Sequence, residues 1–148
     1  MAVERGDMAD ATMGPDVDWD ALRRAAVAAL PHSYSPYSNF PVGVAGFTDD
    51  GRLVWGANIE NASYGLTLCA ECSMVSHLFA TGGGRLVAVW CVDGRGEPLM
   101  PCGRCRQLLY EHGGPEMLLM TPEGVRTMDE ILPQAFGPHQ LAESRGKD

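Results

Sequence analysis

Apolar residues follow two different periods along this chain. From Trp19 to Leu30 they recur about every 3.6 residues (Trp19, Leu22, Ala26, Leu30), the spacing of a helix with one buried stripe. Asp18 stands where an N-cap is wanted, and Pro31 ends the run. Val42–Phe47 and Leu53–Ile59 read as strands, joined by an Asp49-Asp50-Gly51 hairpin turn. The helical period returns over Cys69–Thr81, with Met74, Leu78 and Phe79 apolar, and three glycines (Gly82, Gly83, Gly84) stop it. Leu86–Val92 is unbroken apolar sequence, as expected of a strand covered on both faces.

Pro101 opens a third helix over 102–112, with Gly113 as its C-cap. Met117–Met120 predicts a strand, Glu123-Gly124 a turn and Val125–Met128 a short last strand. Thr127 with Glu130 has the spacing of a capping box, followed by a stop at Pro133. Helices alternating with strands after an opening hairpin predict an α/β fold. The expected form is a three-layer α/β/α sandwich around one mixed sheet of about five strands. Residues 1–15 read as a flexible acidic tail, 16–137 as a single domain, and 138–148 as a polar C-terminal tail.

Composition narrows the partners. The 148 residues are 45% hydrophobic and carry a formal charge of -8, from 11 Lys+Arg against 19 Asp+Glu. That sign opposes a nucleic-acid polymer, whose phosphates are held by Lys and Arg. No apolar run approaches the roughly 18 residues of a membrane span, and no secretory signal precedes the domain. The expected compartment is therefore cytoplasmic, where thiols stay reduced.

In a reduced compartment the five cysteines stand out. Cys69 and Cys72 form one Cys-x-x-Cys pair, Cys102 and Cys105 a second, and Cys91 is alone. Paired spacing of this kind points to metal rather than disulfides, whereas Cys91 reads as a small core residue. Both pairs lie at predicted helix N-termini, where partial positive charge favours thiolates. Two readings of the metal follow. Four thiolates would close a structural zinc site. Three would leave a fourth position for water, which makes a catalytic one. Glu71, beside the first ligand, favours the second, because a carboxylate there could carry a proton. His32, His77, His112 and His139 stand apart from this pattern and read as surface or capping residues.

Cys69-Ala70-Glu71 followed by Pro101-Cys102-x-x-Cys105 resembles the zinc-dependent nucleobase deaminases in their three-cysteine form. Several further stretches resemble the small homotetrameric cytidine deaminases. These are Phe40-x-Val42-Gly43, Asn58-Ile59-Glu60-Asn61-Ala62-Ser63-Tyr64, Pro101-Cys102-Gly103-x-Cys105-Arg106-Gln107 and Leu132-Pro133-x-x-Phe136. Together they span residues 20–140. The resemblance implies hydrolytic deamination of cytidine and 2′-deoxycytidine, in which a zinc-activated hydroxide attacks C4 and Glu71 is the proton shuttle. It implies one Zn2+ per chain on Cys69, Cys102 and Cys105. Ala70 would offer backbone groups to the base, Phe40 would pack on it, and Asn58 and Glu60 would hold the ribose. Tyr64 and Phe136 would complete a neighbouring subunit's pocket in a homotetramer.

Cys72 departs from the pattern, since relatives often carry arginine there to offset the thiolates. The two helix N-termini, Arg104 or Arg106 could supply that offset. Cys72 itself could be a weak donor beside the metal ligands or, in the closed reading, a fourth ligand. A deaminase acting on another base stays open alongside these.

Overall fold

Alternation along the central strands sorts side chains onto two faces. In the computed structural model, which describes residues 17–146, Val44, Val89 and Cys91 enter one core. Their neighbours Ala45, Ala88, Trp90 and Val92 enter the other. Helix α1 (Trp19–Ala29) covers the second face with Trp19, Leu22 and Ala26. Helices α2 (Ala70–Ala80) and α3 (Gly103–Gly113) cover the first with Met74, Leu78 and Leu109. The three-layer sandwich expected from the sequence is therefore present. The expected tail over 1–15 lies outside the described residues.

The sheet has five strands: β1 (Gly43–Thr48), β2 (Leu53–Ala57), β3 (Leu86–Val92), β4 (Leu118–Thr121) and β5 (Gly124–Thr127), in the order β2-β1-β3-β4-β5. Only β3 and β4 pair in parallel, so the sheet is mixed. The register decides where the chemistry sits. Ala57, at the end of β2, and Val92, at the end of β3, both pair with Gly43. Two strands running the same way thus finish at one edge of the sheet. The helices that follow them start beside that edge, α2 after an excursion and α3 after the 93–102 connection. Such C-terminal strand edges are the usual place for a ligand site in α/β sheets.

Local signals hold at most boundaries. Asp18 Oδ1 accepts from the Ala21 N–H at 3.0 Å, as an N-cap should. Gly51 turns the hairpin at φ 83°, and Gly82, Gly83 and Gly84 all have positive φ past the end of α2. Thr127 and Glu130 form the capping box of the short helix α4 (Met128–Ile131). Helix α3 runs one residue past the expected cap and turns at Gly114. One element was not anticipated. The polar segment after Phe136 is helix α5 (Pro138–Arg145), exposed along most of its length. Pro138 starts it, and the Gln140 side chain accepts from the Gly137 N–H at 2.6 Å. It shows no amphipathic stripe because it buries none of its own residues, so hydrophobic periodicity could not reveal it.

Helix α2 lies unusually close to β2. A Cβ placed on Gly56 would stand 2.4 Å from the Ala70 carbonyl oxygen and 2.4 Å from the Met74 backbone nitrogen. Both obstacles are backbone, so neither can swing aside. Gly56→Ala should push α2 off the sheet and cost about 1–3 kcal/mol, the range for overpacking a fitted core. Denaturant melting checks this, and an unchanged midpoint would mean that the helix docks with slack.

Candidate metal centre and substrate cleft

Cys69 and Cys102 are the N-cap residues of α2 and α3, both in extended conformation. Cys105 lies in the first turn of α3. The three sulfurs lie within 4.8 Å of one another, with Cys69 and Cys102 Sγ atoms 3.9 Å apart. Tetrahedral zinc–thiolate geometry at about 2.3 Å per bond needs sulfurs about 3.8 Å apart, so the donor set fits zinc. Among the described residues it is the sole such cluster of three or more His, Cys, Asp or Glu. Cys72 lies outside it, and its sulfur takes a long contact of 3.8 Å from the Arg104 guanidinium instead. The fourth thiolate of a closed site is thus missing. The histidines are also elsewhere; His77 Nδ1 accepts from the Trp55 backbone N–H at 3.1 Å.

The electrostatics of the free thiols differ from the sequence expectation. Burial pushes Cys69 above the ordinary thiol range, despite its place at a helix N-terminus. Burial pushes Cys105 up strongly too, and the Glu71 charge adds to it. At Cys102 burial also acts upward, but the Cys105 amide and the neighbouring thiols outweigh it and leave the group lowered. Two helix termini therefore do not by themselves make three thiolates. A bound cation has to supply the rest of the positive charge.

Glu71, the second residue of α2, is only 3% exposed. Cys91 Sγ donates to its Oε1 at 3.3 Å. Cys91 lies in the core, as its place in an apolar strand predicts, and in addition meets this carboxylate. An apolar strand gives no sign that one of its members meets a carboxylate 20 positions away. Arg106 braces the approach to Cys102, with Nε donating to the Pro101 carbonyl at 2.9 Å.

The residues between the strand edge and Cys69 build a cleft. Ile59 and Leu68 pair through two 2.9 Å backbone hydrogen bonds, so the excursion from Glu60 to Thr67 leaves beside Asn58 and returns beside Cys69. A cavity of about 290 Å³ is lined by Tyr37, Ser38, Glu60, Tyr64 and Thr67. Glu60 Oε1 accepts from the Tyr37 and Ser38 backbone N–H groups at 2.9 and 3.1 Å. The Ser38 side chain, and then these amides, hold the Glu60 carboxyl below its ordinary range. Asn58 ties the same loop. Its Oδ1 accepts from Ser33 Oγ and the Val42 N–H, and its Nδ2 donates to the Phe40 carbonyl at 2.9 Å. One amide hydrogen of Asn58 is left for a ligand. The Phe40 ring is half exposed, and Ala70 is buried at the start of α2. Tyr64 is 75% exposed, edge-on to Tyr37. Phe136 is 59% exposed, its carbonyl held by Gln107 of α3 at 2.8 Å. The structure thus brings the cysteine trio together with Glu71, and Glu60 with Tyr64, while Phe40 and Phe136 are not among the residues that line the Glu60 cavity.

Comparison with known proteins agrees with this arrangement. Residues 18–121 match the family model for the cytidine and deoxycytidylate deaminase zinc-binding region. The chain is 57% identical over 131 residues to the cytidine deaminase of Mycobacterium tuberculosis, covering 88% of this chain and 98% of that protein. The crystal structure of the Mycobacterium leprae cytidine deaminase is 75% identical and superposes with a TM-score of 0.80, over 80% of this chain and 100% of that one. The cytidine deaminase of Halalkalibacterium halodurans is 39% identical over 125 residues, 81% of this chain and 95% of its own. With the family model spanning most of the described residues and relatives matched over nearly their whole length, the chain belongs to the zinc-binding cytidine and deoxycytidylate deaminase family.

Proposed function

We propose that this chain hydrolyses cytidine and 2′-deoxycytidine to uridine and 2′-deoxyuridine, releasing ammonia. The observation that carries this reading is a cluster of three sulfurs, rather than four, at a helix edge that also holds a buried carboxylate. Cys69, Cys102 and Cys105 would hold one zinc ion. When bound, zinc supplies Lewis-acid activation of a water at the position the protein leaves open. Glu71 would take one proton from the attacking water and place it on N3 of the pyrimidine, then take the second from the new C4 hydroxyl and give it to the departing amine as the C4–N bond breaks. Its burial excludes bulk water, which would otherwise compete for those protons. The reaction balances as nucleoside plus water giving the 4-oxo product plus ammonia.

The sugar is assigned to the acidic side of the cleft. Glu60, held ionised by the Ser38 side chain and two amides, is a preformed acceptor for ribose hydroxyls. The spare amide hydrogen of Asn58 is a donor beside it, Ala70 presents backbone to the base edge, and Phe40 offers a ring face. Tyr64 lines this cavity yet is 75% exposed, and Phe136 is 59% exposed; that exposed aromatic surface supports both rings meeting a neighbour's site in a homotetramer. Trp55, Ile59, Tyr34 and Leu68 are also large and exposed, as on a surface that another copy covers. No helix among the described residues is long and apolar enough to cross a membrane. We assign the enzyme to the cytoplasm, acting on free nucleosides rather than on a polymer.

Zinc content separates the ligands from their neighbour. Cys102→Ala should lose the metal, whereas Cys72→Ala should keep about one zinc per chain; metal loss in the second variant would restore the closed four-cysteine site. Glu71→Gln should keep zinc and fold while kcat on cytidine drops by about 10²–10⁴-fold, the usual contribution of a positioned proton carrier. Near-normal turnover there would remove Glu71 from the chemistry. Sedimentation velocity should give four chains per particle. Phe136→Ala should cut kcat/KM about tenfold, the loss of one aromatic contact; a monomer with full activity would refute the shared pocket.

A further inference from the structure

We infer that Cys91 is a positioning residue for this reaction, its thiol fixing the Glu71 carboxylate by a hydrogen bond to Oε1. The inference rests on the reading of Glu71 as proton carrier. Cys91 Sγ lies 3.3 Å from Glu71 Oε1, and the contact is fully buried. The two side chains differ in freedom. Cys91 belongs to central strand β3, in register with Val44 of β1, and its own carbonyl accepts from the Leu99 N–H at 2.9 Å. Glu71 starts from the first turn of α2, whose backbone is held against Gly56, and reaches Cys91 through a long side chain with more rotatable bonds than a cysteine has. The sulfur is thus the fixed partner and the carboxylate the movable one.

The chemistry of the neighbours singles out this thiol. Cys69, Cys102 and Cys105 would be thiolates around zinc and could donate nothing to a carboxylate. Cys91 is fully buried beside a negative charge and keeps its S–H, since burial in apolar surroundings disfavours the thiolate. With Oε1 tied to the strand, Oε2 is the oxygen left to exchange protons with water and substrate. A shuttle that must reach three positions in turn gains from having its pivot fixed and its working oxygen free.

Two measurements test this, one of them independent of turnover. In zinc-loaded Cys72→Ala protein the metal ligands carry no S–H, so the remaining S–H stretching band belongs to Cys91. That band should lie at lower frequency in Cys72→Ala than in Cys72→Ala/Glu71→Gln, because a carboxylate is a stronger acceptor than an amide. Equal frequencies would overturn the contact, whatever the activities are. In kinetics, Cys91→Ala should lower kcat about three- to tenfold, the range for one hydrogen bond, with KM within about twofold. Cys91→Ser, which keeps a donor, should recover most of that loss. A serine variant as slow as the alanine one, or losses that follow zinc content and melting temperature, would reduce Cys91 to a packing residue. If Glu71→Gln alone stays active, the proton-carrier reading fails, while the band shift still reports on the contact.

Discussion

Everything at the metal centre depends on how closely α2 approaches β2. Ala70 and Met74 lie so near Gly56 that the strand has no room for a side chain there. This contact fixes the start of α2, and with it Cys69, Ala70 and Glu71. The second half of the site is tied to the same strand edge, because β3 ends level with β2 and leads into α3. Three sulfurs from segments about 30 residues apart meet because two strands end together and one of them carries a glycine.

The site then faces an electrostatic problem. Burial raises Cys69 and Cys105, and Glu71 adds a negative charge beside them. A pocket with these properties is poorly stable as an ionised trio and well suited to a divalent cation. The same burial that opposes thiolates strengthens their attraction to a metal. Stability of the fold near this edge and occupancy by zinc are therefore coupled, since metal binding contributes free energy to the folded state alone. Arg104 makes its long sulfur contact with Cys72, which lies outside the trio.

Much of this was legible in the sequence. The spacing of Cys69 and Glu71, and of Cys102 and Cys105, carries the chemistry because helix N-termini turn short sequence separations into fixed spatial ones. The hairpin, the capping box and the glycine stop are local signals and were found where local rules place them. The parts that could not be read are non-local. The bond from Cys91 to Glu71 joins a strand to a helix, and nothing at either position announces it. The engagement of Asn58 with Ser33, Val42 and Phe40 likewise depends on how a loop folds back. Helix α5 escaped for the opposite reason, having no buried stripe to leave a pattern.

The pairing of Ile59 with Leu68 has a consequence for how such an enzyme can change. The excursion between them is pinched at its base by two backbone hydrogen bonds, one step from Cys69. Residues inside the pinch can be exchanged, or the loop lengthened, and the added closure entropy grows only slowly with length. Residues outside it hold their places regardless. The wall of the cavity between Glu60 and Thr67 can therefore change in sequence or length while the cysteine trio stays put, so that cavity shape and metal centre can vary separately.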